Sequence, residues 1–287
     1  MLKIDNVAIV GGTHGNEYTG AYLASHWQKH PHLVARDGFK TEVILANSRA
    51  FKECRRYVDR DLNRTCSLER FENKECDTYE DRVARELRDA LYKRVDFIVD
   101  LHTTTANMGS SLVVSSDSEL TWLAAAYLSD QFEDLRVYRW QGDIEGAYVN
   151  SLADSGFAIE VGAVPQGILR ADVYLKTEQI TLALLDFFEL YKQDRVTLKR
   201  ELYIYEHVAL VDYPRDSDNN LIGMIHPDLQ DRDFKELHSK DALFLTFDAE
   251  VIEYDGEDGL FALFVNEAAY YEKGFALCLA RKVLHKF

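Results

Sequence analysis

The chain has 287 residues, 47% of them hydrophobic and 29% charged, with only 4 prolines; this is the composition of a folded, core-forming protein and excludes a disordered or fibrous one. Acidic residues outnumber basic ones 49 to 33, a formal net charge of −16, so neither a nucleic-acid nor an anionic-membrane partner is expected. No apolar run reaches the roughly 18 residues of a membrane span, and the start "MLKIDNVAIVGG" lacks the long apolar stretch and cleavage site of a secretory leader; a cytoplasmic location is expected.

Taken in chain order, "NVAIVGG" reads as a buried strand and "EYTGAYLASHWQKH" as the helix that follows it. "TEVILAN" is a second strand. "YEDRVARELRDALYKR" puts Val83, Leu87, Ala90 and Leu91 on one helical face. "VDFIVDLH" and "SSLVVSS" are further strands, "SELTWLAAAYLSDQF" a helix, and "FAIEVG" a short apolar strand interrupted by a glutamate. "TEQITLALLDFFELYKQ" is apolar almost all round, which predicts a well-buried helix. Strands alternating with helices predict an α/β fold with a mostly parallel mixed sheet and flanking helices. Near residue 195 the pattern turns to short β-like runs, "ALFLTFD", "EVIEYDG" and "LFALFVN", punctuated by Asp, Gly and Pro. The expected division is therefore a domain over 1–194 and a smaller β-rich one over 195–287. Cys54, Cys66, Cys76 and Cys278 form no CxxC pair and are expected as reduced thiols.

In an open α/β sheet, ligands bind beyond the carboxyl ends of the strands. His14 and Glu17 of "GGTHGNE", His102 of "VDLH", and Glu160 of "FAIEVG" all sit at such ends. Two histidines and a carboxylate suit zinc, and a hydrolytic zinc site uses three protein ligands plus water. The HxxE pair alone also occurs by chance; the third residue makes the metal reading competitive. Asp100 lies two residues before His102, hence on the same strand face, where it can orient the imidazole or merely bind loop amides. Glu160, between Ile159 and Val161, is shielded from water, which raises its pKa toward the range of a general base; a buried ion pair is the alternative. "CRRYVDRDLNR" gathers Arg55, Arg56, Arg60 and Arg64 in an acidic protein. The cluster suits carboxylate recognition or oxyanion stabilisation, or a solvated loop balanced by Asp59 and Asp61.

The segments "GGTHGNE", "RYVDRDLNR", "DLHTTTANMG", "IEVGAVPQGILRAD", "VDYPRD", "IHPDLQDRDF" and "FVNEAAYYEK" occur in order between about residue 7 and residue 273. Together they resemble the aspartoacylase/succinylglutamate desuccinylase family of the zinc carboxypeptidase-like superfamily, specifically its aspartoacylase branch. The resemblance implies one zinc per chain on His14, Glu17 and His102, with Glu160 as general base. It implies that Arg56 polarises the scissile carbonyl, that Asn63 and Arg64 hold the substrate α-carboxylate, and that Tyr270 contacts substrate from the C-terminal domain. That domain would narrow the entrance and exclude long peptides. Glu267 and Lys273 match positions taken as supporting structure, and a homodimer is implied by resemblance alone. One departure stands out. Ungapped counting puts Asn150 where the family carries the arginine that reads an aspartate side chain, and no arginine occurs from Trp140 to Glu160. Arg139, Arg170 and Lys273 are the candidate replacements.

The resulting expectation is zinc-dependent hydrolysis of the amide of an N-acyl-L-amino acid, foremost N-acetyl-L-aspartate to acetate and L-aspartate. The alternative enzyme is a deacylase for an N-acyl amino acid with an aromatic or neutral side chain. The non-enzymatic alternative is a metal-binding sensing module, which would need neither a base nor an oxyanion donor.

Overall fold

The computed structural model describes residues 2–73, 75–141, 147–197 and 199–287. Its first part contains β1 (Asn6–Gly11), α1 (Tyr18–Lys29), β2 (Lys40–Leu45), α2 (Ser48–Lys52), α3 (Leu68–Glu72), α4 (Tyr79–Leu91), β3 (Phe97–Thr103), β4 (Ser110–Val114), α5 (Glu119–Gln131), β5 (Leu135–Arg139), β6 (Gly156–Val161) and α6 (Ala171–Lys192). The remainder is β7 (Glu201–Val211), β8 (Gly223–Ile225), β9 (Lys235–Leu237), β10 (Ala242–Thr246), β11 (Val251–Glu253), β12 (Leu260–Leu263) and β13 (Leu277–Lys286).

The fold is the mixed, mostly parallel sheet with flanking helices that the sequence predicts, followed by antiparallel β structure. The main sheet has 10 strands in the order β2-β1-β3-β6-β4-β5-β7-β13-β12-β9. β1, β2, β3 and β6 are mutually parallel, β4 runs antiparallel to β6, and β7 joins β5 in parallel before the antiparallel β13, β12 and β9. The strands after residue 200 thus extend the main sheet, and only β11, β10 and β8 form a separate small one. The short elements α2, α3, β8 and β9 escaped the sequence pattern, as did β5 and β13, and α6 departs from its expected bounds. β5 is a five-residue strand with two arginines, and only Leu135, Val137 and Tyr138 are buried. β13 follows the aromatic segment "AAYYEKGFA" and pairs along the full length of β7. Helix α6 begins at Ala171, six residues before the expected start, and buries one face rather than its whole circumference, with Leu175 52% exposed.

The sheet's two faces follow the strict alternation of strand side chains. Val7 and Ile9 of β1, with Phe97, Val99 and Leu101 of β3, pack in the cluster that includes Trp27 of α1, Trp122 of α5 and Phe188 of α6. Ala8, Val10 and Ile98 face the other way, onto Val83, Leu87 and Leu91 of α4. Asp100 and His102 share parity with Ile98, and so point to the α4 side at the carboxyl end of β3. Among the described residues no helix is long and apolar enough to cross a membrane, and all four cysteines are free.

Candidate active site

Gly12 turns the chain off β1 with φ +70, a left-handed value that favours glycine. At Gly15 an added Cβ would lie 2.2 Å from the backbone of Ala50 and Phe51. The loop therefore lies flat against the segment that carries the arginines, and the Gly15 amide donates to the Arg56 carbonyl at 3.1 Å. Glu17 is the residue capping α1, yet its side chain makes no capping bond. Its carboxylate is turned inward, with Oε1 2.7 Å from His14 Nδ1 and Oε2 3.0 Å from His102 Nδ1.

The far nitrogens of both imidazoles meet carboxylates. His14 Nε2 lies 3.0 Å from Asp61 Oδ1, and His102 Nε2 lies 2.7 Å from Asp100 Oδ2. Thr13 donates to the other oxygen of Asp100 at 2.7 Å. Each ring is thus fixed through Nε2, leaving both Nδ1 atoms facing Glu17, the arrangement by which outer carboxylates orient metal-ligating histidines. Donor atoms of His14, Glu17 and His102 lie within 4.8 Å of one another, and all three residues are buried. Burial would raise the Glu17 and Asp61 carboxyls, but the facing histidines outweigh it and hold both well below the usual carboxylate range. Burial likewise opposes charge on His102, yet Asp100 and Glu17 prevail and raise its pKa. Arg56 donates to Glu17 at 3.1 Å and to Asp61 at 3.3 Å. Metal ligation requires both imidazoles neutral; Glu17, Asp61 and Asp100 against Arg56 would then leave two negative charges uncompensated. A divalent cation cancels that excess, so the donor set fits one.

Parallel pairing of β3 with β6 puts Glu160 directly beside His102. Burial pushes its carboxyl up to about 8, with help from Glu17 and Glu267 and against the pull of His102 and Arg56. Its Oε2 is sealed from solvent with no hydrogen-bond partner among the described residues. An unpaired oxygen of this kind is costly to bury and is free to accept a proton from a bound molecule.

The arginine segment is held by a group that the sequence pattern did not single out. Glu80, wholly buried on α4, accepts from the amides of Val58, Asp59 and Arg60 at 2.6, 3.0 and 3.1 Å, and from the Asn47 side chain. Asp61 also exceeded its expected part: read from sequence as charge balance for the arginines, it joins His14 to Arg56. The need of a metal-ligating histidine for an outer carboxylate was the available signal. Asn63 receives the Val149 amide at 2.9 Å and sits 3.3 Å from His102 Nε2. Arg64 donates to the Asn63 carbonyl at 2.6 Å and lies over the Tyr148 ring.

All nine of the singled-out residues except Asp100 line one cavity: His14, Glu17, Arg56, Asn63, Arg64, His102, Glu160 and Tyr270. The rest of its wall is largely apolar and aromatic, with Val113, Tyr138, Trp140, Tyr148, Phe264 and Phe275, together with Ser115 and Asn150. Asn150 Nδ2 donates to Ser115 Oγ at 3.3 Å. Among the described residues, Arg56 and Arg64 are the only arginines or lysines of the lining. The candidate replacements for a side-chain cation are not among the lining residues: Arg139 is paired with Asp117 and Glu206, Arg170 with Asp172, and Lys273 also lies outside the wall. Glu267 anchors the C-terminal contribution. Its Oε2 accepts from the Thr104 hydroxyl, the Thr105 amide at 2.7 Å and the Ala106 amide at 3.2 Å, just beyond β3.

Residues 3–188 match the model of the succinylglutamate desuccinylase/aspartoacylase catalytic domain, and residues 200–282 that of the AstE/AspA barrel-sandwich hybrid domain. A probable aspartoacylase of Trichodesmium erythraeum is 42% identical, covering 98% of each chain. The human N-acyl-aromatic-L-amino acid amidohydrolase (carboxylate-forming) is 40% identical over 96% of this chain and 90% of its own length. The crystal structure of murine aminoacylase 3 superposes with a TM-score of 0.93 at 36% identity, covering 99% of this chain and 97% of that one.

Proposed function

The chain belongs to the succinylglutamate desuccinylase/aspartoacylase family, and from that premise we propose that it is a zinc amidohydrolase for N-acyl-L-amino acids with neutral, preferentially aromatic side chains. The hydrolytic class is common to the relatives named aspartoacylase and amidohydrolase. The observation that carries the chemistry is the convergence, in one cavity, of the His14–Glu17–His102 cluster, the unpartnered Oε2 of Glu160 and the Arg56 guanidinium.

Held by His14, Glu17 and His102, zinc would supply Lewis acidity toward the attacking water and the acyl carbonyl. Glu160 takes one proton from that water as its oxygen bonds to the acyl carbon, and passes the proton to the nitrogen as the C–N bond breaks. Glu160 releases its proton more readily when positive charge sits beside it, which brings its carboxyl from about 8 toward neutral pH. Arg56 donates to the carbonyl oxygen as it becomes negative. Arg64 and Asn63 hold the α-carboxylate, and Tyr270 closes on the acyl amino acid from the C-terminal side. The C-terminal segment around Glu267 narrows the entrance, so that acyl amino acids enter and long peptides do not. The products are a carboxylate and a free amino acid.

The side-chain preference rests on the wall. Arg64 and Arg56 are assigned to the α-carboxylate and the carbonyl, and no further arginine or lysine among the described residues lines the cavity to pair with an aspartate side chain. An unpaired buried carboxylate is strongly disfavoured, whereas Trp140, Tyr148, Phe264 and Phe275 offer apolar surface. N-acetyl-L-aspartate is the second reading, favoured by the name of the 42% identical cyanobacterial relative. Product analysis of the zinc-loaded enzyme on a panel of N-acetyl amino acids separates the two. Higher kcat/KM on N-acetyl-phenylalanine or N-acetyl-tyrosine than on N-acetyl-aspartate is expected, and the reverse order would overturn the side-chain assignment while leaving the hydrolytic one intact.

A further inference from the structure

Helix α1 is capped by Glu17, and a second group of histidines gathers at its other end. His26 and His30 are four residues apart in "HWQKH", the spacing that stacks two side chains on one helical face. Their ring centroids are 4.7 Å apart with an interplanar angle of 49°. The imidazoles of the buried cluster, His14 and His102, are disposed almost identically, at 4.9 Å and 58°. His32, in the 3₁₀ turn Pro31–Leu33, brings a third ring to 6.1 Å from His30. All three residues are exposed, and among the described residues none of their side chains hydrogen-bonds to another protein group.

The backbone beneath them is fixed. Trp27, between the two histidines, is fully buried in the core, and the His30 amide closes the helix on the His26 and Trp27 carbonyls. His26 lies in the last turn of α1 and His30 is its C-cap (φ −130, ψ 61); two imidazoles four residues apart at a helix end approach the disposition by which helices chelate zinc. The carbonyl end of a helix also favours positive charge. About 14 Å of helix separates this end from Glu17, at 1.5 Å per residue, so the two groups cannot share an ion.

We propose that the carboxyl end of α1 is a second, solvent-exposed site for divalent transition metals, with His26 and His30 as ligands and His32 as an additional donor. Its ligands are neutral imidazoles, which suit zinc, nickel and copper and discriminate against magnesium and calcium. Among the described residues, the only group of three or more metal-ligating His, Cys, Asp or Glu side chains within 4.8 Å of one another is His14, Glu17 and His102, so this end of α1 offers no carboxylate in the place that Glu17 takes there. The site therefore binds metal without hydrolytic chemistry, and more weakly than the buried cluster, whose charge is matched to a dication. Metal content of more than one ion per chain at high zinc is the direct consequence.

The test uses the untagged protein with the buried site already loaded. Calorimetric titration with zinc is expected to show a further, weaker binding event, and the protein is expected to be retained on a nickel-charged chelating resin. His26→Ala and His30→Ala should each abolish the event and the retention. His30→Gln, which keeps a polar side chain at the C-cap, should do the same with an unchanged circular dichroism spectrum, and His32→Ala should weaken both. Hydrolytic turnover should be unaffected in all of them. Absence of a second event in the wild type, or its persistence after both His26 and His30 are replaced, would overturn the proposal.

Discussion

The two ends of the cavity are built on different principles. At the end of β1 and β3 almost every polar atom is engaged. Each imidazole touches Glu17 and an outer aspartate, Arg56 spans two carboxylates, and the loop behind it hangs on three amide bonds to Glu80. At the other end, Trp140, Phe264 and Phe275 share the wall with a weak polar pair, Asn150 and Ser115, and with Tyr138, whose hydroxyl lies 2.9 Å from His207 Nδ1; Trp140 Nε1 has no partner among the described residues. On the proposed function, the first end has one chemical task and little freedom to vary. On the same proposal, the second is a surface on which side-chain preference can change without disturbing the reaction.

The sharpest way to break the comparison is at the cluster itself. His102→Ala should abolish zinc binding and reduce turnover to background, measured by metal analysis on protein whose folding has been checked; wild-type metal content would remove the cluster from consideration. Next in size, Glu160→Gln should retain zinc and substrate binding and lose about 10²–10⁴-fold in kcat. A near-normal kcat would require another base.

The two arginines divide the polar end further. Arg56→Ala should chiefly lower kcat, by about 10²–10³-fold, because the carbonyl oxygen gains its charge only on attack. Arg64→Ala should chiefly raise KM, because a carboxylate is charged before and during the reaction. Exchanged phenotypes in steady-state kinetics would reverse the two roles.

The apolar end should respond in specificity rather than rate. Asn150→Arg should shift the ratio of kcat/KM toward N-acetyl-aspartate over N-acetyl-phenylalanine by about tenfold, the value of one charge-assisted hydrogen bond. An unchanged ratio would move the side-chain pocket away from Asn150. The smallest effect on catalysis belongs to Asp233, behind Phe264. Its Oδ1 accepts from the Val265 amide, its Oδ2 has no partner among the described residues, and burial pushes its carboxyl up from 3.8 to about 7. Between those values the unfolded chain has lost a proton that the folded chain keeps, so stability falls as pH rises and the loss is complete above about 7. Asp233→Asn should therefore gain on the wild type through that window, by at most about 1.4 kcal/mol per pH unit, with matched stability below pH 4 and unchanged turnover. A difference independent of pH in denaturant melts would mean that the carboxyl ionises normally.

The same contrast explains what could be read from the sequence. His14, Glu17, His102 and Glu160 sit at strand ends, and strand alternation alone puts Asp100 beside His102. The α/β alternation and the change of pattern near residue 195 were likewise visible, because periodicity records which face of an element is buried. What periodicity omits is which elements meet. The pairing of His102 with Glu160 depends on the register of β3 against β6. Asp61 and Glu80 act through loops whose path no local pattern encodes. The aromatic wall is assembled from β5, from the residues after β12 and from the turn before β13, of which β5 and β13 were not foreseen. Short strands that carry arginines, or that follow aromatic turns, give too little alternation to register.

The main sheet runs without a break from β2 to β9, passing directly through the β5–β7 pairing of Tyr138 with Tyr205 and Arg139 with Glu206. Rotation of the C-terminal strands away from the rest would tear that ladder and strip Glu267 from Thr104, Thr105 and Ala106. Among the described residues, this ladder and the Glu267 bonds therefore tie the C-terminal strands to the rest of the sheet. The cavity wall, drawn both from His102 of β3 and from Phe264 beyond β12, is thereby held as one piece.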